Sequence, residues 1–168
     1  VNKIPWTGTY NGELGWNFAW ENYEWYGCEI YNNTFNGGSV DVVYAFKGSY
    51  AYGVWIHDNV FSLPSTQASN HNGIQFEFDS EDCIVEKNTF INVATAIVYS
   101  TRDATIHPNN IIRNNLMYNL GRTGPGGFPP GAGIRVESES TSNPKFTNFQ
   151  IYNNTIVCKP GVQVWFGI

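Results

Sequence analysis

The chain has 168 residues, of which 42% are hydrophobic, 16% aromatic and 14% charged, and its net charge is −5. This length fits one domain, the apolar content is sufficient for a packed core, and the acidic balance without basic runs argues against a nucleic-acid partner. No apolar run approaches the ~18 residues that a membrane-spanning helix needs. The 21 Asn and 17 Gly residues disfavour helices, whereas the many Val, Ile and aromatic residues favour strands.

One short pattern recurs five times along the chain. It consists of an apolar residue, two variable residues, Asn, one variable residue and a second apolar residue. The Asn residues are 26, 29, 27 and 39 positions apart. The copies span 30–35, 56–61, 85–90, 112–117 and 151–156, and their Asn residues are Asn33, Asn59, Asn88, Asn115 and Asn154.

A second pattern lies between these copies and begins with a small residue followed by alternating apolar positions. Each repeat therefore contains about three short strands of period 2 and no helix. Such a repeat cannot bury its apolar side alone, but repeats stacked at ~4.8 Å form a continuous core. The second pattern occurs at 73–78, 133–136 and 161–164, with weaker copies at 39–42 and 95–99 and a first copy at 15–20.

These repeats predict an all-β solenoid of about five to six rungs with an Asn ladder at one corner, where each Asn side chain bonds to the Asn of the next rung. The pattern resembles the right-handed parallel β-helix of the pectin-lyase-like superfamily, and the resemblance covers roughly residues 13–168. The rival fold is an all-β sandwich, which gives no reason for an Asn at one fixed position. We expect residues 1–168 to be a single module from a larger multidomain protein, because the chain begins at Val1 and ends after an apolar segment.

Strand alternation predicts which side chains face outward. In the Gly-led strands the outward positions are mostly polar, and the longest connections flank these strands, so we predict a ligand-binding groove on this sheet. The other sheets have short turns and are expected to form a flat wall. The predicted groove residues are Gln75, Glu77, Arg135, Glu137 and Trp165.

Two carboxylates in this groove offer an alternative, catalytic interpretation. Glu77 and Glu137 are predicted to occupy one column two rungs apart, with backbones separated by ~10 Å, near the spacing of the carboxylates in an inverting glycosidase. Arg135 lies beside them, and in β-helix lyases an Arg or Lys acts as the base while acidic residues hold Ca²⁺. That family set is incomplete here, and a solvated acidic face explains the same residues.

Aromatic residues at outward positions favour a sugar ligand. Trp55, Tyr31 and Tyr152 are predicted to face outward together with Trp165, and exposed rings stack on the apolar faces of sugars. Nearby amides and carboxylates can bond to sugar hydroxyls. The acidic net charge favours a neutral glycan over a polyuronate, which would require a basic groove.

We expect neither a transition metal nor another cofactor, because the three His are far apart in sequence and no Cys-x-x-Cys exists. His57 is expected to be an exposed strand residue. The alternative is a Ca²⁺ site, for which the ligands would come from Asp79, Glu81, Asp82 or the acidic residues of the loops. Cys28 and Cys83 fall two rungs apart in one inward column, ~10 Å from each other, so both are predicted to be free thiols.

Taken with its size, the chain is similar to the xylan-binding module family of β-helix fold that is attached to family-ten xylanases of gut bacteria. This resemblance implies a non-catalytic module that binds a plant cell-wall β-glycan, above all xylan. It also implies a covalently linked catalytic domain and an extracellular or cell-surface location in a bacterium. The alternatives are a fragment of a β-helix lyase or hydrolase that uses Glu77, Glu137 and Arg135, and a purely structural β-helix of a surface or spike protein.

Overall fold

A computed structural model describes residues 9–12, 18–37, 44–63, 72–101, 106–121, 131–138, 145–158, 160 and 164–165. Every regular element within these ranges is a β-strand, and the nineteen strands are numbered β1 to β19 along the chain. All of the strand pairs are parallel, and neighbours in a sheet come from successive repeats. The predicted parallel solenoid of five to six rungs is therefore confirmed.

Sheet A contains five strands of three residues each, which pair in register from the first coil to the last. Its middle residues form one inward column, and four of them are at most 1% exposed. This column is Ile30, Ile56, Val85, Ile112 and Ile151, and the last of these is half-buried. The strands are β3 Glu29–Tyr31, β6 Trp55–His57, β9 Ile84–Glu86, β13 Ile111–Arg113 and β17 Gln150–Tyr152.

Sheet B follows sheet A in each coil and contributes a column of stacked rings to the core. The rings of Phe35 and Phe61 stack at 4.7 Å, those of Phe61 and Phe90 stack at 4.8 Å, and Met117 continues the column. Ring stacking between equal residues on successive strands keeps the register fixed. The strands are β1 Thr9–Gly12, β4 Thr34–Gly37, β7 Val60–Ser62, β10 Thr89–Ile91, β14 Leu116–Leu120 and β18 Thr155–Cys158.

Sheet C contains the Gly-led strands and is the longest sheet along the strand direction. A bulge at Phe78, which has φ of 66°, shifts the pairing of β5 with β8. A separate pair, β12 Ile106–Pro108 with β16 Lys145–Thr147, lies between sheets C and A. The strands of sheet C are β2 Phe18–Tyr26, β5 Tyr44–Tyr52, β8 Asn72–Glu81, β11 Thr95–Thr101, β15 Gly131–Ser138 and β19 Val164–Trp165.

The corner between sheets A and B carries the predicted ladder. The Nδ2 of Asn59 donates to Oδ1 of Asn88 at 3.0 Å, and the Nδ2 of Asn88 donates to Oδ1 of Asn115 at 3.1 Å. The same geometry links Asn33 to Asn59 and Asn115 to Asn154. Each Nδ2 also reaches backbone carbonyl groups, so the ladder satisfies polar groups that the turn would otherwise bury unpaired.

The inward assignments agree with the burial of the core. Ile74, Phe76, Ile97 and Tyr99 of sheet C are at most 1% exposed, whereas Val136 in the last long strand is half-buried against the same core. In the second coil the strand that pairs with β8 is Tyr44–Tyr52, with Phe46 opposite Ile74, so the copy predicted at 39–42 is misplaced along the chain. The inward prediction at 162 lies outside the described residues.

The cysteines behave as small apolar residues. Cys28, Cys83 and Cys158 are free thiols, and the first two are buried, as predicted. Burial raises the pKa of Cys83 to about 12, although backbone hydrogen bonds oppose the shift. The thiol of Cys83 therefore stays protonated at neutral pH and packs in the core.

Candidate functional site

The predicted binding residues lie on two different faces of the solenoid. Tyr31, Trp55 and Tyr152 belong to strands of sheet A, whereas the predicted groove residues belong to sheet C. The predicted binding residues therefore belong to two candidate surfaces, one on each sheet. The groove residues, on β8, β15 and β19, are Gln75, Glu77, Arg135, Glu137 and Trp165.

The two glutamates of sheet C share a column, as predicted. Ser100 of β11 pairs with Glu77 on one side and with Glu137 on the other, so the two glutamate backbones are separated by two strand spacings, or ~10 Å. The side chains of Glu77 and Trp165 lie outside what the structure describes. The register therefore supports the paired positions, and the distance between the carboxylates stays a prediction.

The middle of the sheet C face is buried. Gln75 on β8 is 4% exposed. On β11, which lies between β8 and β15, Val98 is 0% exposed and Ser100 is 3% exposed. The prediction that Gln75 is an open groove residue is therefore wrong. Its Oε1 accepts a hydrogen bond from Nδ2 of the buried Asn72 on the same strand, an arrangement that alternation along the strand cannot show.

Arg135 and Glu137 remain partly accessible and contact each other. A guanidinium nitrogen of Arg135 lies 3.3 Å from Oε1 of Glu137, and the two side chains are 17% and 30% exposed. The Nε of Arg135 is buried and has no hydrogen-bond partner among the described residues. The guanidinium group of Arg135 is therefore engaged by a carboxylate of its own strand.

The outward side chains of sheet A form a continuous surface, which we call the aromatic wall. Because the strands pair in register, these residues form two straight columns that cross all five coils. The first column contains Glu29, Trp55, Ile84, Ile111 and Gln150. The second column contains Tyr31, His57, Glu86, Arg113 and Tyr152.

Three rings pack together at the N-terminal end of the wall. Tyr31 stacks on His57 with a centroid distance of 5.2 Å and an interplanar angle of 2°, and the indole of Trp55 lies 4.1 Å from the same imidazole. The Nε2 of His57 is 3.0 Å from Oε1 of Glu29, and its Nδ1 is 2.7 Å from Oδ2 of Asp58. His57 is only 9% exposed, so the prediction of an exposed histidine is wrong: rings and carboxylates from adjacent positions cover it.

A buried carboxylate links the two ends of the wall. Oε1 of Glu86 accepts a hydrogen bond from Nε1 of Trp55 at 3.0 Å, and Oε2 accepts one from Nε of Arg113 at 2.6 Å. A guanidinium NH group of Arg113 donates to the hydroxyl oxygen of Tyr152 at 2.9 Å. Burial raises the pKa of Glu86, but the hydrogen bond from Arg113 and that from Trp55 outweigh it and lower the pKa overall. Glu86 is therefore an ionised anchor for Trp55 and Arg113.

Comparison with known proteins agrees with this architecture. A family model described as the right-handed β-helix region matches residues 19–167. The chain belongs to the right-handed β-helix family. No curated protein and no solved structure matches it significantly. The family match establishes the fold, and neither an activity nor a ligand comes with it.

Four ionisable members of the wall were not predicted as site residues: Glu29, His57, Glu86 and Arg113. A signal was present for two of them, because Glu86 and Arg113 stand 27 residues apart at equivalent repeat positions and carry opposite charges. Cross-strand partners of opposite charge attract each other. The indole bond to Glu86 had no such signal, because Trp55 stands at a different position of the repeat.

Two of the predicted Ca²⁺ ligands form hydrogen bonds within the protein. Asp79 accepts a hydrogen bond from the Tyr52 hydroxyl group at 3.1 Å, and Asp82 accepts one from Nδ2 of Asn109 at 2.9 Å. Nowhere in the described ranges do three or more His, Cys, Asp or Glu side chains converge in a way that could hold a metal ion. Those ranges also contain no helix that is long and apolar enough to span a membrane.

Proposed function

We propose that this β-helix is a non-catalytic carbohydrate-binding module that recognises a neutral plant cell-wall β-glycan, with xylan as the expected ligand. The observation that carries the proposal is the aromatic wall. Trp55 and Tyr152 are each 38% exposed, and both rings are fixed by hydrogen bonds to neighbouring charged side chains. A ring held in place loses little entropy when a ligand stacks on it.

The chemistry of the wall suits a sugar chain. The C–H faces of pyranose rings stack on exposed aromatic rings, and planar polar groups bond to the hydroxyl groups at the ring edges. The structure shows two hydrogen bonds from the guanidinium of Arg113, one to Glu86 and one to Tyr152, out of its five N–H donors. Charges on the wall are mixed, with Glu29 and Glu86 beside Arg113, and Asp58 at the adjoining corner adds a further negative charge. A polyanion would therefore gain little binding free energy from this surface.

The proposal is tested by titration calorimetry with xylohexaose, supported by affinity gels over xylan, glucan, mannan and pectin. Trp55→Ala should weaken binding about tenfold, because an aromatic platform contributes ~1–2 kcal/mol. Trp55→Phe retains an aromatic ring without the N–H group, so it should lose less affinity for xylohexaose than Trp55→Ala. The matched control is Tyr118→Ala, since Tyr118 is 52% exposed but belongs to sheet B.

Two results would contradict the proposal. Absence of binding to every glycan in the panel would favour a purely structural β-helix. Equal affinities of wild type and Trp55→Ala for xylohexaose would remove the wall from the binding site. If the proposal holds, the module is expected to serve a covalently linked catalytic domain such as a xylanase, outside a bacterial cell.

The second candidate function is hydrolysis or lyase chemistry on sheet C. The observation that favours it is the column of Glu77, Ser100 and Glu137, with Arg135 paired to Glu137 at 3.3 Å. A reducing-end assay on xylan distinguishes the two functions. Sugar release by the wild type that is lost in Glu77→Gln and in Glu137→Gln would establish catalysis, because the amide cannot exchange the proton.

A further inference from the structure

We infer that a bound glycan chain lies on the aromatic wall parallel to the solenoid axis, with one sugar unit on each coil. This inference rests on the proposed function and adds the orientation and the length of the ligand. It follows from the shape of sheet A, from the spacing of its coils and from the positions of its rings.

Sheet A is narrow along its strands and long across them. Each strand has three residues and ends at a corner, as β6 does between Gly53 with φ of 63° and Asp58 with φ of 54°. Three residues extend ~7–10 Å, so a polymer laid along a strand would leave the surface after one or two sugar units. Across the five strands the wall extends four spacings, or ~19 Å, and a linear chain can contact it throughout.

The coil spacing matches the repeat of an extended glycan. Adjacent strands are ~4.8 Å apart, which is close to the advance of one β-1,4-linked pyranose unit. Successive sugars therefore meet equivalent positions on successive coils. Beyond the ring cluster around Trp55, the column of Trp55 continues through the half-buried aliphatic side chains of Ile84 and Ile111. Tyr152 lies on the last strand in the neighbouring column, next to Arg113.

The two aromatic ends set a minimum ligand length. Trp55 lies on the second strand and Tyr152 on the fifth, so three spacings, or ~14 Å, separate their backbones. At one sugar unit per coil, three units occupy three of these four coils and cannot lie on the coils of both rings. Six units can, so a long ligand should depend on both aromatic ends and a short one on the larger platform, Trp55.

The experiment measures dissociation constants for xylotriose and xylohexaose by titration calorimetry. Wild type should bind the hexaose at least about tenfold more tightly than the triose, because the second aromatic contact is worth about that factor. Tyr152→Ala should weaken hexaose binding about tenfold and change triose binding less than about twofold, whereas Trp55→Ala should weaken both. Tyr118→Ala on sheet B is the control and should change neither the triose affinity nor the hexaose affinity. Thermal melting of each variant verifies that it is folded.

Different failures have different meanings. If wild type binds both oligosaccharides equally, or if Tyr152→Ala leaves hexaose binding unchanged, the axial orientation is wrong although glycan binding stands. If Tyr118→Ala weakens binding as much as Tyr152→Ala, the ligand lies on another face. If wild type binds no glycan, both the proposed function and the inference fall.

Discussion

At the scale of single residues, the corners depend on backbone conformations that few residues tolerate. The residue before each ladder Asn has a positive φ, between 54° and 56°. Asn and Asp adopt this left-handed conformation because their short polar side chains form hydrogen bonds with the nearby backbone. A residue with a long side chain makes no such local bond to offset the steric cost. The five positions are occupied by Asn32, Asp58, Lys87, Asn114 and Asn153.

Lys87 is therefore the strained member of this column, with φ of 55°. Lys87→Asn should raise the free energy of unfolding by about 0.5–1 kcal/mol, because Asn adopts the left-handed conformation at lower cost. Urea denaturation of the variant and the wild type measures this difference.

The matched control is Lys87→Ala, which removes the same charge but keeps a Cβ at the same φ. The free energy of unfolding of Lys87→Ala should stay within about 0.5 kcal/mol of that of the wild type. If both variants stabilise the protein equally, removal of the charge beside Glu86 rather than relief of the backbone is the cause, and the interpretation of this corner is wrong.

At the scale of the elements, the Asn ladder ties each turn to the next. The Oδ1 of Asn88 accepts from the backbone N–H and from Nδ2 of Asn59, and its Nδ2 donates to the carbonyl groups of Ile56 and Glu86. All of these groups are buried, so none can turn to water if the side chain is removed. Asn154 in the last coil makes similar bonds but is only half-buried.

The ladder should therefore be graded in strength along the solenoid. Asn88→Ala should lower the free energy of unfolding by about 3 kcal/mol, because several buried donors and acceptors lose their partner at ~1–3 kcal/mol each. Asn154→Ala should cost about 1 kcal/mol, since solvent can replace part of the bonding there. Denaturant unfolding compares the two.

Equal costs at both positions would show that burial does not control the ladder. Asn88→Ala should also lose xylohexaose affinity only to the extent that it unfolds. If the folded variant lost the ligand while keeping its melting temperature, the corner would belong to the binding site instead.

At the scale of the whole molecule, stability should be highest in the central coils, because each coil packs only on its neighbours. Phe90 in the middle is 0% exposed, whereas Ile156 in the equivalent position of the last described coil of sheet B is 40% exposed. The polar bonds are the same at both places: the amides of Thr89 and Thr155 each donate to the carbonyl of a ladder Asn at 2.8 Å.

These two threonines provide an internal comparison for native-state hydrogen exchange. The amide of Thr89 should be protected at least about tenfold more than that of Thr155, because opening the end coil exposes less apolar surface than opening the middle one. Equal protection would mean that the solenoid opens as one cooperative unit, and the picture of separable coils would be wrong.

Much of the architecture could be predicted from the sequence because it depends on local chemistry repeated at a fixed interval. The repeat interval gives the five Asn positions. The two-residue period of a strand gives the inward Ile and Val side chains of sheet A and the inward thiols. The common column of Glu77 and Glu137 follows from the same register, and the pairing with Ser100 confirms it.

The candidate site was less predictable because accessibility depends on neighbours that lie far away in sequence. Gln75 and His57 alternate outward, but one lies on a covered part of sheet C and the other is enclosed by Tyr31, Trp55 and two carboxylates. Alternation gives the direction of a side chain and cannot give what is packed over it.

The sequence by itself determined the all-β solenoid, the register of sheet A and the Asn corner, since each depends on bonds between equivalent positions of adjacent repeats. Only the tertiary structure decided that Gln75 in the predicted groove is buried, and that Glu86 joins Trp55 to Arg113 in one hydrogen-bonded surface. The physical reason is that a repeat pattern specifies contacts along the axis. Burial and hydrogen bonding between unlike positions depend on side-chain geometry that appears only when the coils are stacked.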